Sequence, residues 1–277
     1  MPAFDPSAVL THWLGSTRED VTRYVIFSVG VWLLLWVILA PWLKGRKIRP
    51  DTPAPRQLIV EFLCSIRSIA VFSTVSLMTF GLARAGLLPL PRIAATWGPV
   101  WFWISLGLMI VAHDAWFYWT HRLIHDPRLF RRFHRRHHRS NNPSPFTAYS
   151  FDLGEAAING LFVPLWVMVV PTAWPVVGLF MLHQIVRNTI GHAGYELYPA
   201  LRDGRPLLDW MTTVTHHDLH HAQAGWNYGL YFTFWDRAMG TEHPEYHQRF
   251  AAAVRRAHAS DARAPTGTPA IGVNAPR

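Results

Sequence analysis

The sequence has 277 residues but a single cysteine, Cys64, and only 16% of its residues are charged. One cysteine excludes a disulfide framework, a cysteine-based zinc site and a cysteine-ligated iron–sulfur cluster. Acidic residues are also scarce, with 17 Asp and Glu against 26 Lys and Arg. Half of the residues are hydrophobic and 14 are Trp, which excludes a disordered chain. What the sequence has instead is long apolar runs and 16 histidines.

Four apolar stretches predict an integral membrane protein. They cover 24–43, 58–82, 93–112 and 156–186. The first three are close to the roughly 20 residues that a helix needs to cross a bilayer. The fourth is interrupted by Pro164, Pro171 and Pro175, so we expect a hairpin of two short helices there. Glu61 and Arg67, near the start of the second stretch, are expected to reach the interface or to pair inside the bundle.

Charge predicts the orientation of these helices. The basic cluster 44–49 directly follows the first stretch, which places that end in the cytoplasm. The second predicted span then leads out of the cytoplasm, the third returns, and the hairpin enters and leaves the membrane on the cytoplasmic side. The polar blocks 113–155 and 187–277 are therefore both predicted to lie in the cytoplasm. The arginine-rich segment 128–139 is then interpreted as a cytoplasmic segment near anionic lipid head groups rather than as a nucleic-acid site.

These features together predict an all-α protein with one domain. Residues 1–250 would form a membrane bundle of three spans and a proline-broken hairpin, capped by a cytoplasmic helical region. Residues 251–277 are rich in Ala, Arg, Pro, Thr and Gly without an apolar period, so they are predicted to be a disordered tail.

Three histidine motifs predict a metal site. On a helix, positions i, i+3 and i+4 lie within an arc of about 100°, so we expect each motif to direct its imidazoles to one point. Eight imidazoles exceed the needs of one four-coordinate ion and therefore indicate two metal ions, for which iron, zinc, copper and nickel are all suitable. The motifs are HxxxH (His121 and His125), HxxHH (His134, His137 and His138) and a second HxxHH (His217, His220 and His221).

The metal chemistry has two interpretations at this point. The sequence has no HExxH motif, which excludes the usual zinc metalloprotease, and oxygen chemistry on a lipid is favoured beside a membrane. The alternative is a histidine-rich membrane protein that binds or transports metal. Such a protein needs polar residues along a path through the membrane, and the predicted spans offer mainly Glu61 and Arg67.

The histidine motifs and their surroundings resemble the fatty acid hydroxylase / sterol desaturase superfamily. The resemblance covers about 112–241 and includes Asp114-Ala-Trp-Phe-Tyr-Trp-Thr-His-Arg and Asn227-Tyr-Gly-Leu-Tyr-Phe-Thr-Phe-Trp-Asp-Arg. It implies a non-haem di-iron membrane monooxygenase that hydroxylates a C–H bond of a sterol or fatty-acyl lipid with O₂. The eight histidines would bind two Fe²⁺ ions, which Zn²⁺ could replace during isolation, and His192 would be a ninth ligand. Desaturation at the same site is an alternative, and no catalytic residue beyond the metal ligands is expected.

The chain departs from the family pattern at two positions. Asn188 stands where some members have a further histidine, and Asp152 stands where many have His-Pro, although Glu155 keeps the following acidic position. His216 points about 100° away from His217, so it is expected beside the ligands rather than among them. The residues that remain as possible ligands, or as hydrogen-bond partners of ligands, are Asn188, Asp114, Asp218, His216 and Asp152.

Hydroxylation with O₂ requires two electrons that this sequence cannot store. It has no cysteine cluster, no CxxCH haem attachment and no dinucleotide-binding glycine motif. An external donor, either ferredoxin-like or cytochrome b5-like with its reductase, is therefore expected to dock on the arginine-rich cytoplasmic surface. The other expected partners are the lipid substrate and the membrane, and no nucleic acid.

Overall fold

A computed structural model describes residues 5–88 and 90–261 of the chain. These residues form helices and loops without a β-strand, as predicted for an all-α protein. The helices that form the bundle and position the site are α1 (Pro6–Ile38), α2 (Pro55–Arg84), α3 (Gly98–Ile124), α4 (Pro127–Phe133), α5 (Arg135–His138), α6 (Leu153–Val169), α7 (Trp174–Gly191), α8 (Val214–Ala222), α9 (Phe234–Ala238) and α10 (Tyr246–Asp261). Two further short helices are Ala40–Leu43 and Leu90–Ala94.

Three of the helices, α1, α2 and α3, are long and apolar enough to cross a membrane. Large apolar side chains lie exposed on their outer surfaces, among them Ile26, Leu63 and Val111. Exposed apolar side chains on spanning helices are expected where the solvent is lipid. The prediction of an integral-membrane helical bundle is confirmed.

The first span differs from the predicted 24–43. Helix α1 starts at Pro6 and ends at Ile38, just before Pro41, whose missing N–H interrupts the backbone hydrogen bonding. Its N-terminal half is polar enough to hide its helical character from a hydropathy profile. The polar side chains of this half find partners inside the protein. Thr17 donates a hydrogen bond to Ser73 of α2 at 2.9 Å, and the buried Asp20 pairs with Arg23.

The fourth apolar stretch is a hairpin, as predicted. Helix α6 ends at Val169, and α7 starts at Trp174 with Pro175 in its first turn. Between them the chain reverses at Pro171 because proline cannot continue a helix. The hairpin packs its aromatic side chains against α3, where Phe162, Phe180 and Met109 share one apolar cluster.

Polar residues of α2 pair inside the bundle, as expected. Glu61 is fully buried and accepts hydrogen bonds from Gln57 (2.7 Å) and from the Ser144 hydroxyl (2.8 Å). Arg67 donates to the backbone carbonyl of Phe151. These contacts fasten the loop 140–151 to α2, and this loop follows the second histidine motif.

The prediction of a disordered tail from residue 251 is wrong for its first part. Helix α10 continues to Asp261, and Ala253 and Val254 are buried. Tyr246, Phe250 and Val254 recur every four residues and pack into one core cluster, so they form the apolar stripe of a short helix. The alanine-rich composition concealed this stripe. Residues 262–277 of the predicted tail lie outside the described residues.

Candidate metal centre

All nine histidines that were predicted as ligands meet at the end of the bundle, in two adjacent groups. Within each group the ring nitrogens lie within 4.8 Å of one another. The first group consists of His121, His125, His134, His138 and His220, and the second of His137, His192, His217 and His221.

Each HxxHH motif contributes to both groups, which differs from the expectation that a motif directs its rings to one point. In α5, His138 belongs to the first group and His137 to the second; in α8, His220 belongs to the first and His221 to the second. The reason is that consecutive residues on a helix point about 100° apart. The repeated His-His pair therefore joins two sites through one helix.

A short reversal of the chain brings the first two motifs together. Helix α3 ends beside His125, and Asp126 caps α4 by accepting the N–H of Arg128 at 2.9 Å. Pro127 fills the first position of α4, where a missing N–H has no cost. The chain thus folds back, and Nε2 of His134 lies 2.9 Å from Nε2 of His121.

The spacing of the nitrogen atoms suits a metal ion. In the first group, Nε2 of His138 lies 3.0 Å from Nε2 of His220 and 3.3 Å from Nε2 of His125. In the second group, Nε2 of His217 lies 2.9 Å from Nε2 of His192. Two nitrogens that each lie about 2.0–2.1 Å from one ion and meet at a right angle are about 3 Å apart. The observed separations match that geometry.

Backbone carbonyls orient three of the rings. A carbonyl can only accept, so the Nδ1 facing it must carry the hydrogen, which leaves the Nε2 lone pair free for a metal. His121 donates to the carbonyl of Tyr228 (2.9 Å), His220 to that of Trp226 (2.7 Å), and His192 to that of Asn188 (2.7 Å). Nδ1 of His134 lies 2.8 Å from a Glu155 carboxylate oxygen, and both side chains are buried.

The nine candidate ligand histidines favour the neutral form that binds metals. Burial lowers the pKa of His138 to about 2 and the pKa of His192 to about 4. Burial, with a smaller effect of neighbouring rings, also holds the pKa of His137 and His217 well below the usual range. Both ring nitrogens of His221 are buried without a hydrogen-bond partner in the described chain, and a metal ion would satisfy one of them. The donor set therefore fits two metal ions.

The acidic candidates have other partners. Asp114 accepts the backbone N–H of Tyr231 (2.8 Å), Asp218 pairs with Arg49 (2.8 Å), and Asp152 accepts the N–H of Arg136 (2.7 Å). These carboxylates thus hold segments that carry ligands, and the carboxylate beside a ligand ring is Glu155. Asp209, near the start of the segment that leads to α8, pairs with Arg237 and His247.

His216 and Asn188 lie beside the centre and outside both groups. His216 is fully buried against Tyr246, and its Nε2 lies 3.7 Å from Asp236. The amide nitrogen of Asn188 donates to the carbonyl of Ala148 at 2.6 Å. Asn188 thus holds the loop before α6 with its side chain and His192 with its backbone carbonyl.

Sequence reasoning missed the role of the loop 226–229. Asp236 accepts the N–H groups of Tyr228 and Gly229, each at 2.8 Å, and so fixes the loop whose carbonyls orient His220 and His121. Asn227 adopts a left-handed φ of 58°. A Cβ on Gly229 would lie 2.7 Å from the carbonyl oxygen of Phe232, so only glycine fits there. The residues Asn227-Tyr228-Gly229 and Asp236 are visible in the sequence motif. Their function in orienting His121 and His220 becomes apparent only when the fold brings the loop against these rings.

An apolar pocket adjoins the centre on its membrane side. It encloses about 970 Å³ including its open mouth. Its lining combines aromatic and aliphatic side chains of α2, α3, α6 and α7 with the polar and charged α1 residues Ser16, Glu19, Asp20 and Arg23. Two lining residues, Phe117 and Phe151, have ring centroids 4.8 Å from His121 and 5.3 Å from His137 respectively. These two rings therefore lie between the pocket and one histidine of each group.

Comparison with known proteins agrees with this architecture. Residues 106–241 match the family described as Fatty acid hydroxylase. Methylsterol monooxygenase 1 of Rattus norvegicus is 31% identical over 244 residues, which cover 84% of this chain and 78% of the relative. Cholesterol 25-hydroxylase of Rattus norvegicus is 29% identical over 230 residues, 78% of this chain and 75% of the relative. No solved structure matches.

These similarities define the class of the protein. The chain belongs to the fatty acid hydroxylase family, and it is an integral-membrane oxidoreductase of the lipid-oxidising type. Membership in this family removes the alternative of a metal transporter, because the histidine motifs lie within the matched region 106–241.

Proposed function

We propose that this protein is an O₂-dependent di-iron monooxygenase that hydroxylates a C–H bond of a sterol-type membrane lipid. The observation that carries the proposal is a largely apolar pocket whose Phe117 and Phe151 rings contact one histidine of each buried group. The reaction balances as lipid, O₂, two electrons and two protons giving the hydroxylated lipid and water. The sterol class is favoured because the relatives matched over most of this chain are named as enzymes of cholesterol and methylsterol.

The nine histidines would hold two iron ions, which supply the activation of dioxygen that no side chain here can perform. The chain itself positions and shields the reaction. Backbone carbonyls fix the rings of His121, His192 and His220, and a Glu155 carboxylate oxygen lies 2.8 Å from Nδ1 of His134. Phe117 and Phe151 lie between the pocket and one histidine of each group and keep bulk water from the lipid and the metals.

The surface beside the first histidine group suits an acidic electron donor. Five arginines around α4 and α5 are exposed, and residues 127–139 contain no acidic residue. Such a surface accelerates encounter with an acidic partner through electrostatic steering. We therefore propose that a ferredoxin-like or cytochrome b5-like protein docks here, on the cytoplasmic side. The arginines are Arg128, Arg131, Arg132, Arg135 and Arg139.

Desaturation at the same site is the second candidate. A delta(7)-sterol 5(6)-desaturase of Aspergillus fumigatus is 29% identical to this chain over 148 residues. A desaturase removes two hydrogens and releases both oxygen atoms as water, whereas a hydroxylase retains one oxygen atom in the product. The two reactions therefore differ in the fate of labelled dioxygen.

The test uses full-length protein purified without oxygen and loaded with Fe²⁺. Two irons per chain, measured by elemental analysis and Mössbauer spectroscopy, support the proposed centre, and one iron in folded protein contradicts it. The loaded protein is then supplied with a reduced ferredoxin, ¹⁸O₂ and membrane sterols. An ¹⁸O-labelled hydroxysterol supports hydroxylation, and an unlabelled product with one more double bond supports desaturation. His137→Ala removes a ligand of the second group and should lower the iron content. His247→Ala, at the surface away from both groups, is its matched control and should keep the iron of the wild type.

A further inference from the structure

The pocket contains one buried imidazole that the metal centre does not use. His113 lies on α3, lines the pocket and is 5% exposed. Its ring is surrounded by the rings of Phe162 (centroids 4.7 Å apart), Phe180 (5.1 Å) and Tyr231 (5.5 Å). Its Nδ1 is fully buried and has no hydrogen-bond partner within residues 5–88 and 90–261.

A polar group in such surroundings destabilises the fold unless something pairs with it. An apolar side chain would fill the same space between the aromatic rings without the cost of an unpaired polar group. Two other polar side chains of the pocket have protein partners. Tyr149 donates to Gln184 at 2.7 Å, and the amide of Asn188 donates to the carbonyl of Ala148. His113 differs from these two because its buried Nδ1 has no partner among the described residues.

A metal ion is a poor candidate for that partner. His113 belongs to neither histidine group, and no other cluster of three metal-binding side chains includes it within the part of the chain that the structure describes. A neutral imidazole offers one donor and one acceptor, which together match a hydroxyl group. The apolar lining around it matches the carbon skeleton to which such a hydroxyl would be attached.

We infer that His113 binds the hydroxyl group of the lipid substrate and so fixes which carbon reaches the metals. This inference rests on the proposed function and adds the polar group of the substrate to it. His113 precedes His121 by eight residues of α3, which is about 12 Å along the helix axis. The pocket runs between these levels past Phe117. The hydroxyl and the oxidised carbon therefore belong to distant parts of the lipid.

The experiment measures binding, so that it does not depend on turnover. Full-length protein in detergent is incubated with tritiated cholesterol, which is displaced by unlabelled cholesterol or by 5-cholestene, the same hydrocarbon without the hydroxyl. One neutral hydrogen bond should make cholesterol about three- to tenfold the better competitor. In His113→Phe this preference should disappear, and in His113→Gln, whose amide also donates and accepts, part of it should return.

Phe162→Leu is the matched control, because it alters the same wall without a polar group and should weaken both lipids equally. The iron content of each variant verifies the fold, since His113 lies outside both histidine groups. A cholesterol preference that survives in His113→Phe, or wild-type protein that binds both lipids equally, overturns the inference alone. If labelled cholesterol does not bind wild-type protein at all, the sterol-type substrate of the proposed function is refuted, and the inference falls with it.

Discussion

Replacing Asp236 with Asn should remove iron from one histidine group and leave the other filled. The Asp236 carboxylate accepts hydrogen bonds from the N–H groups of Tyr228 and Gly229 and from the hydroxyl of Thr241, each at 2.8 Å. An asparagine keeps one acceptor oxygen and presents an NH₂ group to a backbone N–H. The loop 226–229 then loses one charge-assisted bond and keeps an unpaired buried donor.

The magnitude follows from these contacts. A hydrogen bond to a charged group contributes about 1.5–3 kcal/mol, and an unpaired buried polar group costs about 1–3 kcal/mol. The two figures overlap because the unpaired N–H is the donor of the lost bond, so we expect a total loss of roughly 2–4 kcal/mol. This is less than the stability of about 5–15 kcal/mol that folded domains have. The chain should therefore stay folded while the loop loosens. The loop orients His121 and His220, which both belong to the first group.

The assay is the iron content of the purified protein before and after a chelator challenge, with gel filtration as the test of folding. Wild type should hold two irons per chain, and Asp236→Asn about one. Asp209→Asn is the control, because its carboxylate lies in the same region but pairs at the surface with Arg237 and His247. Retention of both irons in Asp236→Asn, or their loss together in one step, would refute the assignment of this loop to the first group.

Three further substitutions test the centre. His220→Ala should abolish iron binding to the first group and all turnover. The variant should still insert into membranes, because the apolar helices specify insertion. Full activity would exclude His220 as a ligand. His216→Ala should keep two irons but lower the melting temperature, since the His216 ring is buried against Tyr246 outside both groups. Iron loss equal to that of His220→Ala would mean that His216 is a ligand. Asn188→His, one helical turn before His192, should slow the release of iron from the second group to a chelator, because that group has four histidines against five in the first. Unchanged release kinetics would show that position 188 does not reach the metal.

The bundle could be predicted largely from local sequence. The apolar stretches 58–82 and 156–186 correspond to α2 and to the hairpin of α6 and α7 because hydropathy over about 20 residues reports the solvent that a helix meets. The same reasoning misplaced α1, since the polar residues Thr17 and Asp20 are satisfied by Ser73 and Arg23, contacts that a hydropathy profile does not contain.

The histidine spacing by itself determined eight of the nine candidate ligands and indicated two metals, because i, i+3 and i+4 positions share a helical face. His192 lies outside the three motifs and was predicted only from the family resemblance. Only the tertiary structure decided how these ligands divide. His137 and His138 are neighbours in the chain but belong to different groups, because the helix rotates about 100° between them and partners from α3, α7 and α8 arrive on either side. The structure likewise decided that the carbonyls of a distant loop orient His121 and His220 and that Glu155 lies against His134, since these contacts join segments far apart in sequence.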